Sequence, residues 1–167
     1  MASWQQGVEI CKQIYICPIE KKADVVIASS GGYPKDINVY QAQKSLDNAY
    51  QAVKPGGTII LLAECTEGYG EATFEKWIEE ANTPDDIIKR LKNKFVLGGH
   101  KAYSIDKLTK EVEVILISSL PQDKVRKLFF IPMENSTRAL NYIKEKHGED
   151  FQAYILPSGN TVLPQLI

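Results

Sequence analysis

Residues 24–65 read DVVIASSGGYPKDINVYQAQKSLDNAYQAVKPGGTIILLAEC, and the architecture of the chain follows from this stretch. The apolar run near its start predicts a buried strand over residues 23–29, and the next apolar run predicts a strand over 58–64. Between them, the pattern predicts a helix from Asp36 or Ile37 to Val53, with Asp36 as its N-cap. In open α/β sheets, ligands bind at the carboxyl ends of such strands, so we expect a site near Ser29-Ser30-Gly31-Gly32.

The rest of the chain continues this alternation of strands and helices. The predicted elements are a weak helix over 3–12, a short strand or connector over 14–19, helical segments over 68–92 with a restart capped by Thr83, a helix over 100–107, a strand over 112–117, a helix over 122–127, a strand over 128–131, a helix over 134–146 and a strand over 153–156. The alternation predicts an α/β fold with three layers: a mainly parallel, twisted, Rossmann-like sheet with helices on both faces. Residues 1–167 are interpreted as a single α/β domain.

Composition excludes several function classes for this chain of 167 residues. Its net charge is −1, with charged residues making up 25% of the chain, and no basic block is present, so we expect no nucleic-acid partner. No apolar run approaches the roughly 20 residues that span a bilayer, and no signal-peptide pattern occurs at the start. We therefore expect no membrane partner and a cytoplasmic location.

The cysteines and histidines give little sign of their own chemistry. Cys17 and Cys65 lie in apolar runs and are expected to be buried free thiols, and Cys65 has no base nearby in sequence that would activate it. The two histidines, His100 and His147, are far apart in sequence, which argues against a metal site built by this chain alone. We expect a structural hydrogen bond at His100 and a helix C-terminal position at His147.

The predicted helix after the first strand has two faces. Val39, Ala42, Leu46, Ala49 and Val53 recur at spacings of three and four and form the face that packs on the sheet. A second line, nearly opposite, is formed by Gln41, Lys44 and Asn48. This line is either a solvated helix face or an anion site, in which an ammonium and an amide near a helix N-terminus bind a carboxylate together. The spacing alone leaves both interpretations open.

Four stretches of the chain resemble the C-terminal domain of the nickel-dependent lactate racemase family. They are GGYPKDINVYQAQK from Gly31, VKPGGTIILLAECTEGYG from Val53, FVLGGHKAYSIDKLTKEVEVILISS from Phe95 and PSGNTVLP from Pro157. The resemblance covers the chain from about Gly7 onward and implies a lobe of a lactate or other 2-hydroxy-acid racemase, an isomerase. It also implies that Gln41 and Lys44 of the YQxxK motif bind the substrate carboxylate or hydroxyl, with Tyr40 as a further contact. Tyr103 is expected to occupy the place of a family tryptophan near the substrate.

The resemblance also implies what another part of the enzyme must supply. In the family, racemisation uses a nickel pincer nucleotide (nickel pyridinium-3,5-bisthiocarboxylic acid mononucleotide), held in an N-terminal lobe together with the catalytic histidines. No segment of this chain resembles that lobe. We therefore expect the partner to be a cofactor-binding lobe of the same or a separate chain, and we expect the present chain to carry no catalytic residue and to be inactive alone. The alternative is a stand-alone α/β binding or interaction module without catalysis.

Overall fold

The structure, a computed structural model, describes residues 2–167. The helices are α1 (Ala2–Tyr15), α2 (Val39–Ala52), α3 (Ala72–Glu80), α4 (Pro84–Asn93), α5 (Gly99–Thr109), α6 (Gln122–Lys127) and α7 (Ser136–His147). The strands are β1 (Ile16–Ile19), β2 (Ala23–Ser29), β3 (Val53–Leu62), β4 (Glu113–Ile117), β5 (Ile131–Met133), β6 (Ala153–Leu156) and β7 (Leu163–Leu166). Among the described residues, no helix combines the length and the apolar character that crossing a bilayer requires.

Five strands form one parallel sheet in the order β5-β4-β3-β2-β6. From β2 the chain proceeds outward through β3, β4 and β5, and it then returns to place β6 on the other side of β2. The direction of winding therefore changes between β2 and β6. In α/β sheets, the carboxyl ends of the strands at such a change form a crevice that binds ligands.

The two faces of this sheet carry separate apolar cores. Ile59 and Leu61 of β3 are buried with residues of α2 to α6, whereas Ile60, which points the other way, is buried with Ala139 and Ile143 of α7. This alternation is the two-residue period of a strand, and it explains why the central strands are apolar throughout. The predicted fold class, a mainly parallel sheet with helices on both faces, is confirmed.

A second, two-stranded parallel sheet joins the start of the chain to its end, with Ile16 opposite Leu163. Its strand β7 was not predicted, since Pro164 and the short LPQL sequence give no clear strand pattern. The expectation that Cys17 is buried is wrong, because its side chain points away from the core of this small sheet and is exposed. Cys65 is buried, as predicted.

The predicted start of α2 is corrected from Asp36 to Val39. The N-cap is Asn38, whose Oδ1 accepts a hydrogen bond of 3.0 Å from the backbone N–H of Gln41. Asp36 lies in the preceding turn, and its carboxylate accepts from the backbone N–H of Glu64. The cap therefore sits where its side chain reaches the free N–H groups of the first turn.

Two strand boundaries also differ from their predictions. β3 begins at Val53 rather than at residue 58. The backbone can pass this close to Asp24 because residue 57 is a glycine, since a Cβ there would lie only 2.6 Å from the backbone oxygen of Asp24. The predicted strand over 128–131 is displaced to Ile131–Met133, because Leu128 caps α6 and Phe129 has a positive φ of 61°.

Candidate functional site

A cleft of 430 Å³ opens at the carboxyl ends of the central strands, where the winding direction changes. It is lined by Pro34, Lys35, Ile37, Asn38, Gln41, Lys44, Glu67 and Asn160. These residues follow three neighbouring strands, β2, β3 and β6. The predicted residues Gln41 and Lys44 thus lie beside the turn after β2, in the crevice that this topology creates.

Gln41 and Lys44 face each other on the first two turns of α2. Lys44 Nζ donates a hydrogen bond of 2.7 Å to Gln41 Oε1, and the lysine is exposed whereas the glutamine is half-buried. Because Oε1 is already an acceptor, the amide nitrogen of Gln41 and the other ammonium hydrogens of Lys44 are the groups left for a ligand. The pair therefore offers mainly donors, an ammonium group and an amide N–H₂, which suits a carboxylate or a hydroxyl oxygen.

The backbone at the start of α2 has already used its own donors. The N–H of Val39 donates to Gly68 O at 3.1 Å, that of Tyr40 donates to Tyr69 O at 3.0 Å, and that of Gln41 is bonded to the Asn38 cap. An anion in the cleft must therefore be bound by side chains, with the helix dipole as a smaller favourable contribution.

The turn after β2 serves mainly as a tight connection. Gly31 and Gly32 have φ values of 87° and 75°, the left-handed region that glycine adopts without strain. The N–H of Gly31 donates to Ser29 Oγ at 3.1 Å, and Gly32 O accepts from the N–H of Lys35 at 2.8 Å. The geometry of this glycine turn favours a tight connection over an anion-binding loop.

Asn48, the third member of the predicted polar line, does not line the cleft. Its Nδ2 donates a 2.7 Å hydrogen bond to Gly159 O, which ties α2 to the turn after β6. Gly159 fits there because its backbone passes close to Ser45, whose Cβ would be 3.1 Å from an added methyl group. The hydrogen bond holds the neighbouring Asn160 at the cleft.

Lys101 of α5 adds a second ammonium group beside α2, and no sequence pattern predicted it. Its Nζ donates a 2.6 Å hydrogen bond to Tyr40 O and lies 4.1 Å from the centre of the Tyr40 ring. Burial, and then the charge of Lys44, lower the pKa of Lys101, whereas Asp47 opposes this shift. The N-terminal half of α2 is therefore a region of positive charge.

Tyr40 and Tyr103 do not line this cleft. Both side chains are partly buried and pack against the main core, and the Tyr40 ring meets Phe74 edge-on at 5.8 Å. Their predicted contacts with substrate stay predictions. Lys35, Glu67 and Asn160 line the cleft although none of them was predicted. The sequence feature that could have indicated them is their position in the loops that follow β2, β3 and β6.

The histidines and Cys65 are engaged elsewhere in the fold. His100 Nδ1 accepts from the Gly98 N–H at 3.2 Å, and His147 Nε2 lies 3.0 Å from Thr58 Oγ1. Burial raises the pKa of the Cys65 thiol to about 12, with further contributions from Asp36 and Glu64, so the thiol is neutral at pH 7. Over residues 2–167 there is no group of three or more His, Cys, Asp or Glu side chains that could hold a metal ion.

Comparison with known proteins assigns the chain to a family. The family model of the lactate racemase C-terminal domain matches residues 19–163. The chain belongs to this family. It is 30% identical over 148 residues to the lactate racemase of Thermoanaerobacterium thermosaccharolyticum, a match that covers 86% of this chain and 35% of that protein. It is 25% identical over 167 residues to the lactate racemase of Lactiplantibacillus plantarum, covering 97% of this chain and 39% of that protein.

Solved structures agree with this assignment. The lactate racemase apoprotein from T. thermosaccharolyticum superposes with a TM-score of 0.89 at 28% identity, over 96% of this chain and 40% of that one. A protein from Thermotoga maritima shares the fold, with a TM-score of 0.65 at 19% identity, over 99% of this chain and 42% of that one. The chain therefore spans about two fifths of the length of the relatives it matches.

Proposed function

We propose that this chain is the substrate-binding lobe of a 2-hydroxy-acid racemase, with lactate as the first substrate to test. One observation carries the proposal: Lys44 and Gln41, hydrogen-bonded to each other at 2.7 Å, place an ammonium group and an amide side by side in a cleft at the carboxyl ends of the central strands. Membership of the lactate racemase C-terminal domain family supports it.

In this proposal, Lys44 neutralises the carboxylate of the acid and Gln41 orients it. A carboxylate that accepts from Lys44 Nζ and Gln41 Nε2 is held at two points, which leaves its 2-hydroxyl group and C2 hydrogen directed away from α2. Lys35 adds positive charge at the cleft, Lys101 adds it near Lys44, and Glu67 partly offsets it. The site therefore selects for a small anion.

Closure by another lobe makes this attraction stronger. Opposite unit charges about 4 Å apart attract by about 1 kcal/mol in water and by about 4 kcal/mol at an effective dielectric constant near 20. Lys44 is exposed in this chain, so its charge is screened by water. We infer that the isolated chain binds 2-hydroxy acids weakly and that enclosure of the cleft raises the affinity.

The nickel pincer nucleotide belongs, in this proposal, to another lobe of the same or a separate chain. The residues of this chain do not fit such a centre, because both histidines are hydrogen-bonded within the fold and the described residues hold no metal-binding cluster. The chain then contributes substrate contacts, while the chemistry at the C2 carbon depends on groups outside it. It follows that the purified chain is inactive alone.

The test is racemisation of D-lactate by an assembled enzyme. This chain would be joined to a cofactor lobe, produced with the cofactor-synthesis proteins and assayed on lactate and a small panel of 2-hydroxy acids. Because charged hydrogen bonds contribute about 1.5–3 kcal/mol, Lys44→Ala should lower the rate by roughly tenfold to a hundredfold. The control is Lys89→Ala, which removes an exposed lysine from α4. Equal activity of the Lys44→Ala enzyme and the control would contradict the assignment of Lys44.

A further inference from the structure

Helix α1 carries an apolar stripe that the described residues leave largely uncovered. Trp4, Val8, Cys11 and Tyr15 recur at spacings of four, three and four, and they line a groove of 680 Å³ together with residues of β1 and β7. Trp4 is 73% exposed, and Tyr15 at the other end of the stripe is 44% exposed. A tryptophan at the end of a continuous apolar groove is a typical anchor of a protein interface.

The elements around this groove are weakly supported. The α1 helix has 14 residues, a length at which an isolated helix is marginally stable in water. Strands β1 and β7 pair only with each other and stay separate from the five-stranded sheet; β7 contacts α2, but a two-stranded sheet needs substantial packing to be stable. Both features indicate a surface that packs against another domain or chain.

The comparisons with known proteins indicate which domain or chain this is. The family model of the domain begins at residue 19, so α1 lies outside it. The superposition on the T. thermosaccharolyticum racemase nevertheless covers 96% of this chain, which leaves about seven residues unmatched, fewer than α1 contains. At least part of α1 therefore has a counterpart in that racemase. About three fifths of the racemase lies beyond the matched region.

We propose that the apolar groove of α1 and the β1–β7 sheet form the surface on which the rest of a lactate racemase packs. The inference rests on the proposed function, since it takes the partner to be the cofactor-binding lobe. The matching surface of that lobe is expected to be mainly apolar, because most of the groove lining is apolar and Lys12, its charged member, is already paired with Glu9 at 2.8 Å. Since β7 contacts α2, the docked lobe is held beside the helix that carries Gln41 and Lys44.

The test compares amide hydrogen exchange in the free chain and in a fusion. In the fusion, the part of the T. thermosaccharolyticum racemase outside the matched region is joined to this full chain. If the lobe packs on the groove, the amides of α1 should exchange at least about tenfold more slowly in the fusion than in the free chain. Trp4→Glu should abolish this protection. The matched control is Leu97→Glu, which changes a side chain that is 74% exposed and outside the groove, and it should leave the protection intact.

Two results would overturn the proposal. One is equal exchange of α1 in the fusion and in the free chain, while the amides of β3 remain protected in both and so show that the domain is folded. The other is concentration-dependent protection in the free chain together with a dimer in sedimentation that Trp4→Glu dissociates, since a second copy would then cover the groove. Exchange does not depend on turnover, so a fusion that protects α1 but racemises no acid would contradict the proposed function alone.

Discussion

Asp106, on α5, is a fully buried carboxyl group that lies outside the cleft. Neither of its oxygens has a hydrogen-bond partner among the described residues. Burial raises its pKa from 3.8 to about 8, while Lys110 lowers it and Asp85 raises it further. The folded protein therefore keeps the Asp106 proton at pH 7, whereas the unfolded chain releases it.

This difference predicts how the stability of the protein depends on pH. Because the folded state binds the Asp106 proton more tightly, the group's contribution to stability is lost as the pH rises from about 4 to about 8. Asp106→Asn has no such proton. The free energy of unfolding of this variant minus that of the unsubstituted protein should therefore increase from about pH 4 to about pH 8 and level off above pH 8. Urea unfolding of both proteins at several pH values measures this difference. A difference that is constant with pH would contradict the raised pKa.

The role of individual side chains was predictable where residue type and spacing sufficed. Gln41 and Lys44 lie one helical turn apart, and this spacing brings the two together on any helix. Asn48 lies four residues from Lys44, also about one helical turn away, yet it is bound to Gly159, which is distant in sequence. The contribution of Lys101 likewise depends on how α5 packs against α2, which no local pattern encodes.

At the scale of elements, the start of α2 sets the position of the proposed substrate contacts. Its cap Asn38 is buried and bonded to the N–H of Gln41, and it packs against Gly70, where an added Cβ would lie 2.4 Å from the Asn38 Cγ. Helix α7 begins with an equivalent cap, since Asn135 Oδ1 accepts from the Arg138 N–H at 2.9 Å. The two caps form a natural pair for comparison.

Loss of either cap should destabilise the protein, but only one loss should affect the site. Asn38→Ala and Asn135→Ala should each lower the free energy of unfolding by about 1 kcal/mol, the usual contribution of an asparagine N-cap. In the assembled enzyme, Asn38→Ala should also raise the KM for lactate, because the first turn of α2 loses its anchor beside Gln41. Denaturant unfolding and steady-state kinetics measure the two effects. A raised KM in Asn135→Ala as well would show that the effect is general loss of stability.

Element boundaries were predictable where a strong local signal coincided with burial. The predicted strand over 23–29 matches Ala23–Ser29, and Thr83 caps a helix that begins at Pro84, as predicted. The β1–β7 pair could not be predicted, because its strands are short and lie at opposite ends of the chain. The pairing of β1 with β7 is a long-range contact, and the periodicity of apolar residues in the sequence does not indicate it.

At the scale of the whole molecule, the domain has two open concave surfaces. The cleft at the carboxyl ends of β2, β3 and β6 exposes Lys44, and the groove along α1 is also open. The parallel α/β architecture was predictable from the alternation of apolar strands with amphipathic helices. The membership of the two concave surfaces was not, since each is lined by residues from elements that are distant in sequence.

The most direct test of the account is titration of the 167-residue chain with lactate, followed by NMR of the Gln41 side-chain amide and the α2 backbone. We expect weak, saturable shifts in the millimolar range, centred on Gln41 and Lys44, that disappear in Lys44→Ala and persist in Lys89→Ala. A dissociation constant of about 1 mM corresponds to about 4 kcal/mol of binding free energy, which a screened charge and two hydrogen bonds can supply. Shifts that persist unchanged in Lys44→Ala, or none at any concentration up to about 100 mM, a limit of about 1.4 kcal/mol, would contradict it.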